Sequence, residues 1–453
     1  MAKIFQYLAA FSICIGALCT GILIAWTSNI GPKLKDGDLN DLEFTDTDFS
    51  IFGAMMCLGA ACTCIPVGFL LNILGRKLTL FLTVIPFTIG WALLYFASHM
   101  AITFVARFIL GLAGGSFCIG APLYNMEIAD TKSRGMMGTF FQLFITIGIF
   151  FAQVMGYMLS VQAYLIVCAI IPFIFLICFA LQPESPVFLV KKEKIEKAEK
   201  ALKRLRNEDD NIADEMKQLQ TNAAKEIEMK GKCKETMSHK ATKKATFICM
   251  MLMVFQQFTG INAIMFYTET IFSCANIEVN SALQTITVGL VQIIATLVSA
   301  VTIDKFGRKL LFLVSTSMMA VGVFLSLIFY IPFVYNISSE SANEKLAWFP
   351  LIGIWIYIVG FSLGMGPIPW MAAGELVPVE VKPQIAAAAG TLNWFCAFLI
   401  TLGYPIINEQ FKAAIPFIFF FIMCIVCIAF TLIFFIETKN KDFNEIYQEL
   451  GGD

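Results

Sequence analysis

The stretch VFQQFTGINAIMFYT, Val254–Thr268, places Gln256, Gln257 and Asn262 inside a long apolar run. Polar groups left unpaired in hydrocarbon are strongly disfavoured, so the first question is whether this run lies in a membrane. Of 453 residues 58% are hydrophobic and only 14% charged, whereas soluble domains hold roughly 25% charged residues. A spanning helix needs about 20 mostly apolar residues. Twelve such stretches begin near residues 5, 50, 78, 101, 135, 162, 246, 281, 309, 347, 384 and 413. The expected fold is an all-α membrane protein of twelve transmembrane helices. The N-terminal run stays apolar to Trp26 without a convincing cleavage site, and it reads as a retained first helix.

Charge placement orients the chain. With both termini cytoplasmic, the inside segments collect 27 of the 32 lysines and arginines; Lys33, Lys35, Lys345 and Lys412 fall outside and Arg107 falls within a span. The opposite orientation violates the positive-inside rule at nearly every loop. A net charge of -1 gives nucleic acid nothing to bind, and the expected surroundings are membrane lipid. Twelve of the fourteen cysteines fall within predicted spans, where they read as small packing residues rather than a disulfide framework or metal site. Neither cofactor nor metal is expected, and no nucleophile with a base suggests an enzyme.

Between the sixth and seventh spans, KKEKIEKAEKALKRLRNEDDNIADEMKQLQ (Lys191–Gln220) carries charges at helical spacings. It reads as short amphipathic cytoplasmic helices with a bracing role. Around it the sequence repeats. LGRKLTLFL (74–82) is echoed by FGRKLLFLV (306–314), EIADTKSR (127–134) by ELVPVEVK (375–382), and PESP (183–186) by IETK (436–439). Three signals recurring in one order imply a duplicated six-helix unit. The expected organisation is a bundle over 1–182, a linker over 183–245, a second bundle over 246–436 and a tail over 437–453. Paired six-helix halves with a midplane site are a common transporter plan and imply alternating access.

The paired GRK loops, RFILG at 107–111, PESP, QQFTGIN, GPIPW at 366–370, Asn393 with Trp394, and the late ETK resemble the sugar porters of the major facilitator superfamily over essentially the whole chain. Within them, AWTSNIGPKL (25–34) and ARFILGLAGGSFCIGAPLY (106–124) are most similar to the insect facilitated trehalose transporters. There are departures: Asn72 and Ile73 replace the family's Asp and Arg in the first GRK loop, PESP is followed by Val187, Lys382 stands for arginine, and Ser362 for a glutamate common in glucose carriers.

Neutral amides suit an uncharged polyol, since both donate and accept hydrogen bonds. Gln142 on the fifth span, Gln256, Gln257 and Asn262 on the seventh, Gln292 on the eighth and Asn393 on the eleventh recur at places that match the family. The competing reading is interhelical bonding, which contributes about 0.6–2 kcal/mol for each amide; their convergence favours sugar contact. Trp370 and Phe266 offer flat faces for the sugar's C–H surface. Gly364, Gly366, Pro367 and Pro369 cannot continue a regular helix, so the tenth span is expected to contain a mobile segment lining a cavity. Tyr267 is placed to help close the outer side.

Acids and bases gather at the cytoplasmic span ends: Arg76, Glu127 and Arg134 in one half, Arg308, Glu375 and Lys382 in the other, with Arg107 deeper. The resemblance implies salt bridges that hold the inner side shut while the outer side is open, against the default of interfacial snorkelling. A proton-coupled carrier needs a titratable group exposed alternately to each side. No carboxylate occupies the middle of a predicted span, and Leu23 stands where the family's proton symporters carry an aspartate. The expectation is facilitated uniport of trehalose or glucose across the plasma membrane, with a proton-coupled symporter and a non-transporting sugar receptor as the rivals. Asn336-Ile-Ser338 forms a glycosylation sequon in a predicted outer loop.

Overall fold

Apolar composition and local capping account for most of the helices. Thr45 opens the second span with a capping box: its hydroxyl accepts from the Asp48 N–H at 3.2 Å, and the Asp48 carboxylate accepts from the Thr45 N–H at 3.1 Å. Ser160 and Asn280 cap the sixth and eighth spans in the simpler way. The computed structural model describes residues 2–130, 134–206, 211–229, 233–273, 280–335, 345–378, 380–411, 414–439, 441 and 443–451. Among them, twelve helices are long and apolar enough to cross a membrane: Ile4–Ala25, Asp46–Ile73, Arg76–Tyr95, Met100–Ile128, Met137–Met158, Val161–Ala180, Lys240–Ser273, Ser281–Ile303, Arg308–Val334, Trp348–Leu376, Lys382–Glu409 and Ala414–Ile433. All begin within six residues of the starts expected from composition.

Between spans 6 and 7 lie helices Pro186–Lys191, Ile195–Leu205, Ile212–Met229 and Cys233–Ser238. The first three share a small apolar core of Leu189, Val190, Ala198, Leu202 and Met216. Arg206 ties this linker to the bundle, donating to the main-chain oxygen of Ile128 at the end of span 4 and pairing with Glu215 at 2.7 Å. The two halves meet along two seams, span 2 against span 11 and span 5 against span 8.

Among the described residues three spans are interrupted: span 3 at Thr83, between Arg76–Leu82 and Val84–Tyr95, and spans 7 and 10 in the second half. Span 7 runs as Lys240–Phe258, interrupts at Thr259 and Gly260, and resumes as Ile261–Ser273 with a kink at Tyr267. Span 10 runs as Trp348–Gly360, widens into a π-helical turn over Phe361–Met365, and restarts at Ile368. The glycine and proline run thus interrupts the helix where the sequence predicts a break. Inside a membrane the freed backbone groups need protein partners. Ser315 of span 9 supplies two, donating to the Gly360 oxygen at 2.6 Å and accepting from the Met365 N–H at 2.8 Å. Ser299 of span 8 donates to the Leu363 oxygen at 3.1 Å.

Candidate substrate site and end anchors

Gln256 completes the repair of span 10. Its Nε2 donates to the main-chain oxygens of Met365 and Gly366 at 2.7 and 2.9 Å. Its Oε1 accepts from Asn393 Nδ2 at 2.8 Å, and that nitrogen also reaches the Met253 oxygen. Gln257 Nε2 donates to Asn393 Oδ1 at 3.0 Å, and Gln257 Oε1 accepts from Asn262 Nδ2 at 2.7 Å. Four amides from spans 7 and 11 therefore form one buried hydrogen-bonded chain joined to the broken backbone of span 10. Gln292 of span 8 is buried with its Oε1 unpartnered, and Gln142 of span 5 is half-buried. Trp370 is half-buried at the junction of the halves, its ring 3.6 Å from where a Cβ on Gly390 would sit, with Ile119 and Cys64 alongside.

The end opposite the linker is closed by rings. Tyr267 donates to the Thr401 oxygen at 2.9 Å and stacks on Tyr404 with centroids 5.4 Å apart. From the other half, Phe49 meets the same tyrosine edge-on at 5.6 Å. Phe266 is fully buried and faces Gly53 of span 2. Arg107 is also fully buried; it donates to the main-chain oxygens of Leu23 and Phe52 and lies over the rings of Phe52 and Trp26. Main-chain dipoles and π faces here surround the charge, beside Leu23.

At the linker end the repeat becomes geometry. Arg76 clasps Glu127 through two bonds of 2.8 and 2.6 Å and reaches the Leu71 oxygen. Arg308 pairs with Glu375 at 3.2 Å and reaches the Ile303 oxygen, which is also five residues back. Each arginine opens a helix after a glycine of positive φ, Gly75 at 102° and Gly307 at 88°. A carboxylate lies against each glycine: a Cβ would sit 2.4 Å from Glu184 Oε2 and 2.6 Å from Glu437 Oε2. Glu184 accepts the backbone N–H groups of Arg76, Lys77 and Ser185. Glu437 accepts those of Arg308, Lys309, Thr438 and Lys439. An anion at a helix start also meets the positive end of the helix dipole.

Environment separates these two carboxylates. Burial pushes Glu184 above the usual carboxylate range, and its backbone donors only partly offset that. Burial opposes ionisation of Glu437 too, yet its four backbone donors prevail and hold it below that range. Neither residue was among the expected gate residues; the PESP and IETK echo was the signal that pointed to them. Lys382 donates to the Gly374 oxygen, while Thr438 donates to the Glu375 carboxylate. The Arg134 side chain and Asn336 lie outside the described residues.

The family model described as "Sugar (and other) transporter" matches residues 23–450. Facilitated trehalose transporter Tret1 of Anopheles gambiae is 33% identical over 448 residues, covering 99% of this chain and 56% of that protein. The chain thus spans about half the length of that relative, and 86% of the Culex quinquefasciatus transporter of the same name, at 32% identity. Among solved structures, the major facilitator proton:xylose symporter XylE bound to 6-bromo-6-deoxy-D-glucose superposes with a TM-score of 0.79 at 21% identity, covering 99% of this chain and 100% of that one. The inward-open conformation of XylE from E. coli gives 0.78 at 20% identity, covering 98% and 99%. These two show the fold.

Proposed function

Because this chain belongs to the Sugar (and other) transporter family, we propose that it carries a neutral sugar, trehalose or glucose, by facilitated diffusion with alternating access. The observation that carries the reading is the amide chain of Gln256, Gln257, Asn262 and Asn393, bonded to the break in span 10. A sugar hydroxyl can replace any one of these bonds, because it donates and accepts as an amide does. Replacing a bond to Met365 or Gly366 alters the partner of a broken helix, which links occupancy to movement. Gln142, Gln292 and Trp370 complete the binding set in this reading, and the carried sugars are those that the named relatives suggest.

Positive-inside bias puts the linker end and both termini in the cytoplasm, in a plasma membrane. The contacts of Phe49, Phe266 and Tyr267 then form the outer gate, with the Gly364, Gly366, Pro367 and Pro369 segment as the moving part of span 10. Arg76, Glu127 and Arg134, with Arg308, Glu375 and Lys382, tune the inner side. The two bundles occupy 1–182 and 246–436, joined by the 183–245 linker and followed by the 437–453 tail. Uniport is supported by leucine at position 23, where Arg107 bonds to a main-chain oxygen.

Uptake of labelled trehalose and glucose into proteoliposomes, with and without a proton gradient, tests the proposal. Equilibration without a gradient is expected. Accumulation that requires the gradient would replace uniport with proton coupling, and binding without flux would replace carriage with sensing.

A further inference from the structure

Gln153 on span 5 is fully buried, and neither atom of its side-chain amide has a hydrogen-bond partner. Asn29, in the turn that follows span 1, lies beside it. Its Nδ2 donates to the Gln153 main-chain oxygen at 2.7 Å and to the Ala282 oxygen of span 8 at 3.5 Å, while its own Oδ1 is unpartnered. Across the seam, Gly289 of span 8 makes room for the glutamine: a Cβ there would sit 2.1 Å from Gln153 Oε1. The neighbouring Thr27 and Ser28 hydroxyls are buried and unpartnered as well. Native interiors rarely leave so many polar atoms unmet, and such a group calls for an explanation. A ligand that arrives in another state of the transport cycle would supply one.

Position identifies the ligand. Gln142, Thr146, Ile149 and Gln153 recur at i, i+4, i+7 and i+11, so Gln153 shares the helix face of Gln142, about 16 Å nearer the far end. On span 8, Gln292 is three residues from Gly289. Its unpartnered Oε1 therefore belongs to a level about 5 Å closer to the linker than Gln153. One turn of helix is comparable to one pyranose ring. A sugar ring held at the level of Gln292 would carry a second ring to Gln153 and Asn29. The groups waiting there are neutral, and a primary amide offers two donors and an acceptor, which fits a ring that presents only hydroxyls.

We propose that Gln153, with Asn29, forms an outer subsite for the second ring of a disaccharide, and that Gln153 sets the preference for trehalose over glucose. The inference rests on the sugar-carrier reading above. Zero-trans uptake of both sugars by wild type, Gln153→Leu and Gln153→Asn in proteoliposomes tests it. Gln153→Leu keeps the volume and removes the amide; it is expected to lower Vmax/KM for trehalose about tenfold, the worth of one hydrogen bond, and to leave glucose within about twofold. Gln153→Asn should lie between. Glucose uptake in the same vesicles reports whether each variant is folded. Equal losses for both sugars would make Gln153 a closure residue, and no loss for either would make it inert; both results overturn the subsite. Wild type that carries glucose but not trehalose overturns it while sparing the carrier reading. Wild type that carries neither sugar overturns both.

Discussion

The two GRK loops use the same parts in different surroundings. In the first half the Arg76 and Glu127 side chains are 2% and 9% exposed, while in the second those of Arg308 and Glu375 are 15% and 26% exposed. Both keep a glycine of positive φ, an arginine bonded to a carbonyl five residues back, and a carboxylate from the end of the sixth span of the unit. The two loops share the hydrogen-bond pattern and differ in solvation. The halves differ in the same sense elsewhere. The span interrupted at a positive-φ glycine, the span with a π-helical turn and the linked amide chain lie in the second half, whereas the first half seals a buried arginine among rings and carbonyls. A closed, desolvated charge site resists rearrangement, and a helix break bonded to side chains, as in span 10, has backbone partners to exchange.

The largest expected effect would break this comparison most directly. Glu127→Gln leaves the buried Arg76 without its counter-charge and should cost about 3–5 kcal/mol. Glu375→Gln leaves a partly hydrated arginine and should cost about 1 kcal/mol or less. Thermal unfolding of the two variants in detergent measures the contrast, and equal shifts would remove the distinction between the loops.

Gly75→Ala and Gly307→Ala should each cost about 1–3 kcal/mol, because alanine is strained at positive φ and its Cβ would displace the carboxylate. Similar losses in the two variants would sharpen the view that the turn geometry, unlike the solvation, is shared. In the second half, Gln256→Leu removes the donor to Met365 and Gly366 and the acceptor for Asn393. It should cost about 1–3 kcal/mol and lower sugar uptake more than it lowers the melting temperature. A variant with full uptake would detach the amide chain from transport.

The smallest expected effect concerns pH. Glu437 titrates below the usual carboxylate range when folded, so its ionised form stabilises the fold above the unfolded value of about 4.3. That stabilisation is lost as pH falls through the lower, folded value. Glu184 is shifted upward, so its ionisation in the fold works against stability at neutral pH. Glu437→Gln should therefore lower the melting temperature slightly at pH 7, with the deficit closing below about pH 4. Glu184→Gln should show little deficit at pH 7. Melting curves of both variants from pH 7 down to about pH 3 measure the difference, and parallel profiles would mean that the two carboxylates are equivalent.

The spans were legible because hydropathy is a local property summed over about 20 residues. The break in span 10 was legible because glycine and proline act on their own backbone. The arginine partners were harder to read. EIADTKSR and ELVPVEVK suggest an acid and a base seven residues apart, yet Glu127 bonds to Arg76 and Glu375 to Arg308, 51 and 67 residues away. Glu184 and Glu437 carried only an echo between two short motifs. Their contact with the glycine turns depends on the end of one span meeting the start of another.

Sequence alone determined the number of spans, the repeated order of motifs and the polar character of the seventh span, since each follows from residues close together in the chain. Only the tertiary structure decided which amides bond to one another and to span 10, which carboxylate caps which turn, and which arginine is sealed from water. Those outcomes depend on distances between spans more than a hundred residues apart, as between Gln257 and Asn393, and on how completely the packing excludes water around each charge.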